Sequence, residues 1–163
     1  MSAHRPIELD DLDYRILDQL QQDSSLTNQA LAERVHASPP TCLRRVRHLT
    51  ECGVIERQVA ILNPQHLGIG LTAIIEITLD TQETGALEAF ERDIITAPEI
   101  TQCYRVSSGP DFILIAQIPN MPAYQALAQR VFTRDTHVRN VRSFFATHRS
   151  KFDTRSLFSS HDH

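Results

Sequence analysis

Apolar residues recur at two different periods along this chain, and the change of period divides it. Leu12, Ile16 and Leu20 stand at i, i+4 and i+8 with Leu17 beside them, which predicts an amphipathic helix. Its acidic start, Asp10, Asp11 and Asp13, suits the positive end of a helix dipole. Leu31 and Val35 after Thr27 predict a second, short helix capped by that threonine. A third opens at Ser38, with Pro39 at the first helical position, where its missing N–H costs nothing, and stops at Gly53. On a helical wheel Cys42, Leu43, Val46 and Leu49 gather on one side. Thr41, Arg44, Arg47 and His48 lie on the other, with Pro40 facing outward near the helix start. Arg45 falls closer to the apolar side, where it can pair within the domain.

An extended stretch, Val54–Leu62, and the loop Asn63-Pro64 follow, and Gly68 and Gly70 lead into a different pattern. Leu71, Ala73, Ile75, Ile77 and Leu79 alternate with Thr72, Glu76 and Thr78, the signature of a strand with one apolar face. Leu87, Phe90 and Ile94 mark a helix ending before Pro98. Residues 100–107 and 112–118 read as strands joined by Ser108-Gly109-Pro110-Asp111, a turn-forming tetrapeptide. Asn120 caps a helix carrying Tyr124, Leu127 and Val131, and residues 138–147 supply a fourth strand. The order β-α-β-β-α-β is that of the ferredoxin-like split unit. Two helices on one face leave the other uncovered, and the strand at 112–118 is apolar on both sides, so a homodimer or higher assembly is expected.

Charge changes the picture for the first half. The chain carries a net −4, yet Arg34, Arg44, Arg45 and Arg47 stand between Glu33 and Glu51 with no acid among them. A short helix, a tight junction and a capped helix with an arginine face form the layout of a helix-turn-helix, whose second helix enters the DNA major groove. The plainer alternative is a helical hairpin with a solvated arginine face. The 163 residues allow one ordinary domain or two small ones, and 41% hydrophobic content supports a core. No apolar run approaches the roughly 20 residues of a membrane span, and no signal peptide precedes the first helix, so a cytoplasmic protein is expected. Cys42, Cys52 and Cys103 are an odd set without metal-ligand spacing and read as reduced thiols. The eight histidines scatter, and His161-Asp162-His163 is at most a weak metal ligand on a terminus; neither metal nor cofactor is expected.

The combination resembles the Lrp/AsnC, or feast/famine, regulators over roughly residues 9–150. The matching pieces are Leu9-Asp10 with Asp13, Ile16 and Leu17; Ser38 to Leu43 with Arg45, Val46 and Leu49; Gly53-Val54-Ile55; Leu62-Asn63-Pro64; and Val106-Ser107 followed by Asp111-Phe112. The resemblance implies an α+β chain: a winged helix-turn-helix with a linker strand (1–62), a ferredoxin-like, RAM/ACT-like domain (63–150) and a C-terminal tail (151–163). It implies a DNA-binding transcriptional regulator that is no enzyme, assembles as dimers and on to tetramers or octamers, and binds an amino acid or related metabolite. The candidate contacts to double-stranded DNA are Asn28, Ser38, Pro40, Thr41, Arg44, Arg45, Arg47 and His48. The candidate effector positions are Ser107, Ser108, Gly109, Asp111, Met121, Phe144 and Phe145, with Asp111 suited to an ammonium and the turn N–H groups to a carboxylate. Strand packing is the competing role for both phenylalanines, and a backbone-bonding turn role competes for Asp111.

Two positions depart from the family pattern. Val35-His36-Ala37 replaces the usual glycine before the recognition helix, so His36 must accept a left-handed backbone or the turn must differ. Ser108 replaces the glycine of the effector turn, with Gly109 displaced and Pro110 lacking an N–H that a ligand carboxylate would use. Two further readings stand beside the regulator. Siroheme decarboxylases share the family fold, and Arg105, His137, Arg139 and His148 are the basic residues such an enzyme would draw on. A ligand-sensing assembly module without DNA affinity is the other.

Overall fold

The computed structural model describes residues 7–68, 70–133 and 137–157. The chain forms two units, the first running to Ile61 and including the segment from Lys151, the second Leu62–Ser150. The His161-Asp162-His163 terminus lies outside the described residues.

The first unit is built from α1 (Asp11–Gln22), α2 (Asn28–Val35) and α3 (Pro39–Glu51). Asp10 opens α1 with a reciprocal cap: its carboxylate accepts the Asp13 N–H at 3.0 Å, and Asp13 accepts the Asp10 N–H at 3.1 Å. Ile16, Leu17, Leu31, Ala32, Val35, Cys42 and Leu49 form the core, with Leu12, Leu20 and Val46 packed against it. His36 does adopt the left-handed conformation, at φ 54°, ψ 49°. Its N–H reaches Glu33 O at 3.3 Å and the Ala37 N–H reaches Ala32 O at 3.0 Å, the two bonds of a Schellman ending.

The stretch 56–63 differs from the expected linker strand, because no strand is formed there. Val59, Ile61 and Leu62 stand exposed instead. A single chain offers this segment no neighbouring strand to pair its N–H and C=O groups. The C-terminal segment also differs from a free tail. The Ser156 N–H donates to Gln21 Oε1 at 2.6 Å, and Gln21 Nε2 donates to Ser156 O at 3.2 Å, tying residues 151–157 to α1.

In the second unit a 3-10 turn (Pro64–Leu67) precedes β1 (Leu71–Leu79), α4 (Thr84–Ile94), β2 (Ile100–Arg105), β3 (Phe112–Ile118), α5 (Met121–Val131) and β4 (Val138–Phe145). The strands form one antiparallel sheet in the order β2-β3-β1-β4, the ferredoxin-like arrangement. Ala73, Ile75, Ile77 and Leu79 of β1 and Phe112, Leu114, Ala116 and Ile118 of β3 face a core closed by Phe90, Ile94, Leu127 and Phe132. Phe90 and Phe112 pack with ring centroids 4.8 Å apart. On the opposite face Ile74 lies in register with Ile115 of β3 and Phe144 of β4, an apolar row crossing three strands. Ile74 and Phe144 remain exposed.

Candidate nucleic-acid interface and regulatory turn

The junction between α2 and α3 is set by short polar side chains. Thr27 Oγ1 accepts the Ala30 N–H at 3.1 Å, and Ser38 Oγ accepts the Thr41 N–H at 3.3 Å. Ser38 and Thr41 also share a hydroxyl–hydroxyl bond at 2.8 Å. Asn28 Nδ2 donates to Pro39 O at 2.7 Å, which pins the start of α2 to the start of α3. Asn28, Ser38 and Thr41 therefore hold the junction as well as standing at its surface. The side chains of Arg44, Arg47 and His48 are exposed and make no hydrogen bond or ion pair among the described residues, leaving the two guanidinium groups uncompensated.

Arg45 departs from the expected DNA-facing set. Its Nη1 lies 2.8 Å from Asp10 and 3.1 Å from Asp13, whose side chain is almost fully buried. The guanidinium and the Asp13 N–H together hold the Asp10 carboxyl below its usual range, with the backbone bond the larger influence. Leu43 departs in the opposite sense: placed with the core by the wheel, it is 57% exposed. The wheel does carry the signal. At about 100° per residue, Arg45 falls about 60° from Cys42 and Leu43 about 100° from it, on the side of Arg47. The angle of Arg45 agrees with its expected pairing within the domain, whereas the apolar character of Leu43 masks its outward angle.

The turn of the second unit is closed by a bond from the Val106 N–H to Asp111 O at 3.1 Å, and Gly109 takes φ 89°. Ser107, Ser108 and Gly109 are exposed, and their N–H groups enter no backbone hydrogen bond among the described residues. Asp111 is buried and already engaged. Its Oδ2 accepts the Leu79 N–H at 2.7 Å and its Oδ1 accepts from Gln82 Nε2 at 3.3 Å. Its own N–H donates to Ile77 O at 2.8 Å. The carboxylate thus fastens the turn to the end of β1, a role that nothing in the local sequence signals.

The remaining expected effector positions are not brought together within one chain. Phe144 lies on the open face under the Arg142 guanidinium, 5.3 Å from the ring centroid. Phe145 points to the helical side and meets Tyr124 edge to face at 5.0 Å, so the two phenylalanines line opposite faces and packing explains Phe145. Met121 is exposed at the start of α5, beyond the far end of β3 from the turn. The seven residues of β3 put roughly 20 Å between them.

Of the residues weighed for tetrapyrrole chemistry, the two arginines lie apart. Arg105 pairs with Glu91 at 2.7 Å on edge strand β2, whereas Arg139 lies on the opposite edge strand, β4. Two strands between them mean a separation of roughly 14 Å. Beside Arg105, a depression of about 420 Å³ is lined by Glu88, Glu91, Arg92, Ile95 and Cys103. Burial, and secondarily the Glu91 charge, push the Cys103 thiol up, while burial alone raises Cys42. All three cysteines are free. Among the described residues no group of three or more His, Cys, Asp and Glu side chains is placed to hold a metal, and no helix is long and apolar enough to cross a membrane.

Comparison with known proteins finds two family models along the chain. Residues 9–56 match the winged helix-turn-helix DNA-binding model, and residues 72–156 match the Lrp/AsnC ligand binding domain. An HTH-type transcriptional regulator of Haemophilus influenzae is 36% identical over 90% of this chain and 87% of its own length. The leucine-responsive regulatory protein of Escherichia coli K12 is 34% identical over 91% of this chain and 90% of its own. Among solved structures, an AsnC family transcriptional regulator from Agrobacterium tumefaciens superposes with a TM-score of 0.84 at 33% identity, covering 91% of this chain and 97% of that one. A transcriptional regulator from Neisseria meningitidis, solved as an L-Met complex, gives 0.82 at 31% identity over 90% and 95%. With a DNA-binding helix-turn-helix followed by a ligand-binding domain, the chain belongs to the Lrp/AsnC family of transcriptional regulators.

Proposed function

We propose that this regulator reads its operator through the outer face of α3, with Arg44, Arg47 and His48 on phosphates or guanine edges and Pro40 and Thr41 near the groove floor. The observation that carries this is the exposed arginine face, whose side chains have no partner among the described residues, in a chain of net charge −4. Phosphate contacts supply affinity, and the base edges supply discrimination. One such helix covers a few base pairs, so two copies must act together on half-sites about one helical turn, or a multiple, apart. The row Ile115–Ile74–Phe144 on the open sheet face is suited to join them as a homodimer, with tetramers or octamers built from it. Action on DNA supports a cytoplasmic site of action in this reading.

The effector in this reading is an amino acid or a related metabolite, as the Neisseria relative's complex with L-Met suggests. Its carboxylate would meet the N–H groups of Ser107, Ser108 and Gly109, which have no backbone partner among the described residues, a row of donors that Pro110 shortens by one. Asp111 holds that turn in place from behind. Met121 and Phe144 would reach the same ligand only from another copy, which makes the site an assembly interface and links effector binding to oligomeric state.

Thermal unfolding of the full chain against the twenty amino acids tests the reading. An effector that binds the native state raises the melting temperature in proportion to the logarithm of its concentration. The same compound should change both the sedimentation profile and the affinity for promoter DNA. No shift with any amino acid, beside intact salt-dependent DNA binding, would leave an effector-independent regulator. No DNA binding at low salt would remove the operator-reading role.

A further inference from the structure

We propose that Leu43 reads a thymine methyl group, making it a specificity-determining residue of α3. This rests on α3 being the helix that enters the groove. Leu43 is 57% exposed in a helix whose other leucine, Leu49, is completely buried. At about 100° per residue it stands at one edge of the exposed arc, about 40° from Arg47, with Pro40, Arg44 and His48 following beyond. It thus borders the cationic face, and the polyanion that complements that face determines what covers it.

Within the major groove, the C5-methyl of thymine is the apolar group that base edges display. A leucine pressed there against any other edge would strip water from N7, O6, N4 or N6 without offering a hydrogen bond. Leu43 therefore favours thymine by burying its methyl and disfavours the other bases by leaving their polar atoms unpartnered. Arg47 and Arg44, both to one side of it, anchor the helix and are indifferent to that methyl. The inference adds a positive preference for one base at a fixed step in each half-site.

The experiment uses the full-length protein and the duplex it selects from a random pool. Each thymine is replaced in turn by deoxyuracil, which deletes the methyl and nothing else. Wild type should lose about three- to fivefold in affinity at one thymine per half-site, the effect of burying one methyl group. Leu43→Ala should bind the thymine and uracil forms of that duplex equally while keeping the wild-type salt slope, since no charge is removed. Leu43→Gln, of similar reach but polar, should lose the methyl discrimination too, and being at an exposed position both variants should keep the wild-type unfolding midpoint. Equal binding of wild type to every uracil-substituted duplex overturns the proposal, as does undiminished discrimination by Leu43→Ala. A change of oligomeric state in Leu43→Ala with discrimination intact would assign the leucine to a protein interface instead. Failure to select any duplex at low salt would refute the DNA-reading role of α3, and this inference with it, and is distinct from selection without methyl dependence.

Discussion

Replacing Arg45 by alanine separates the structural arginine of α3 from those that face DNA. The guanidinium contacts Asp10 at 2.8 Å and both carboxylate oxygens of Asp13 at 3.1 and 3.2 Å. The Asp13 side chain is 4% exposed and that of Arg45 27%, so the pair sits at the edge of the core. Removing one partner of a fully buried pair costs about 3–5 kcal/mol, because a charge is left desolvated and unpaired. Here Asp13 keeps the Asp10 N–H as a donor, and Asp10 is half exposed. The expected loss is therefore about 2–3 kcal/mol. The assay is urea unfolding of the full chain, with amide exchange in α1–α3 as the local reporter, run beside DNA affinity at several salt concentrations. Under conditions where the variant is still folded, its affinity and salt slope should equal wild type. Arg44→Ala and Arg47→Ala should do the reverse, staying within about 0.5 kcal/mol of wild-type stability while lowering affinity. The reasoning is refuted if Arg45→Ala keeps its stability and its salt slope falls by about 1, the mark of a lost phosphate contact.

Asp111→Ala should destabilise the second unit by about 1–3 kcal/mol, because the Leu79 N–H loses its acceptor in a buried setting; native-state exchange at Leu79 checks this, and unchanged protection there would contradict the assignment. His36→Gly should raise stability by about 0.5–1 kcal/mol by relieving a left-handed residue at an exposed helix end, less the greater freedom glycine has when unfolded; a lower unfolding midpoint would mean the imidazole makes a stabilising contact. Acid should weaken both units. Asp10 and Glu99 are held below their usual values of 3.8 and 4.5, by the Asp13 N–H with Arg45 and by Arg130 respectively, so their contributions are complete above those values and vanish as pH falls through the lowered ones. The urea midpoint should be insensitive to these groups from pH 7 to about 5 and decline below about 4, with a shallower decline in Asp10→Asn.

Much of this architecture is local in origin and legible in the chain. Thr27, Ser38 and Asn120 each cap the helix they precede, since a short side-chain oxygen two or three residues before a free N–H needs no distant partner. Alternation along residues 71–79 and 112–118 specifies strands because a strand turns successive side chains to opposite faces. The same alternation separates Phe144 from Phe145, although which face the helices cover is a tertiary matter. A helix ending at Val35 and another capped at Ser38 left either a left-handed His36 or a different turn, and the left-handed residue is the one that forms. What the tertiary structure decided are the pairings between residues far apart in sequence. The helical wheel already turns Arg45 toward the core side and Arg44 toward solvent, but only the packing of α1 beside α3 gives Arg45 its partner, Asp13, 32 residues away. Asp111 reads as a turn residue until the sheet brings the Leu79 N–H, also 32 positions away, within 2.7 Å of its carboxylate. Ser156 meets the Gln21 side-chain amide across 135 residues through its own backbone N–H and C=O, which carry no sequence signature at all. Period and capping energies act within a few residues and are written in the chain; desolvation of a charge or an N–H is settled only when distant segments close over it.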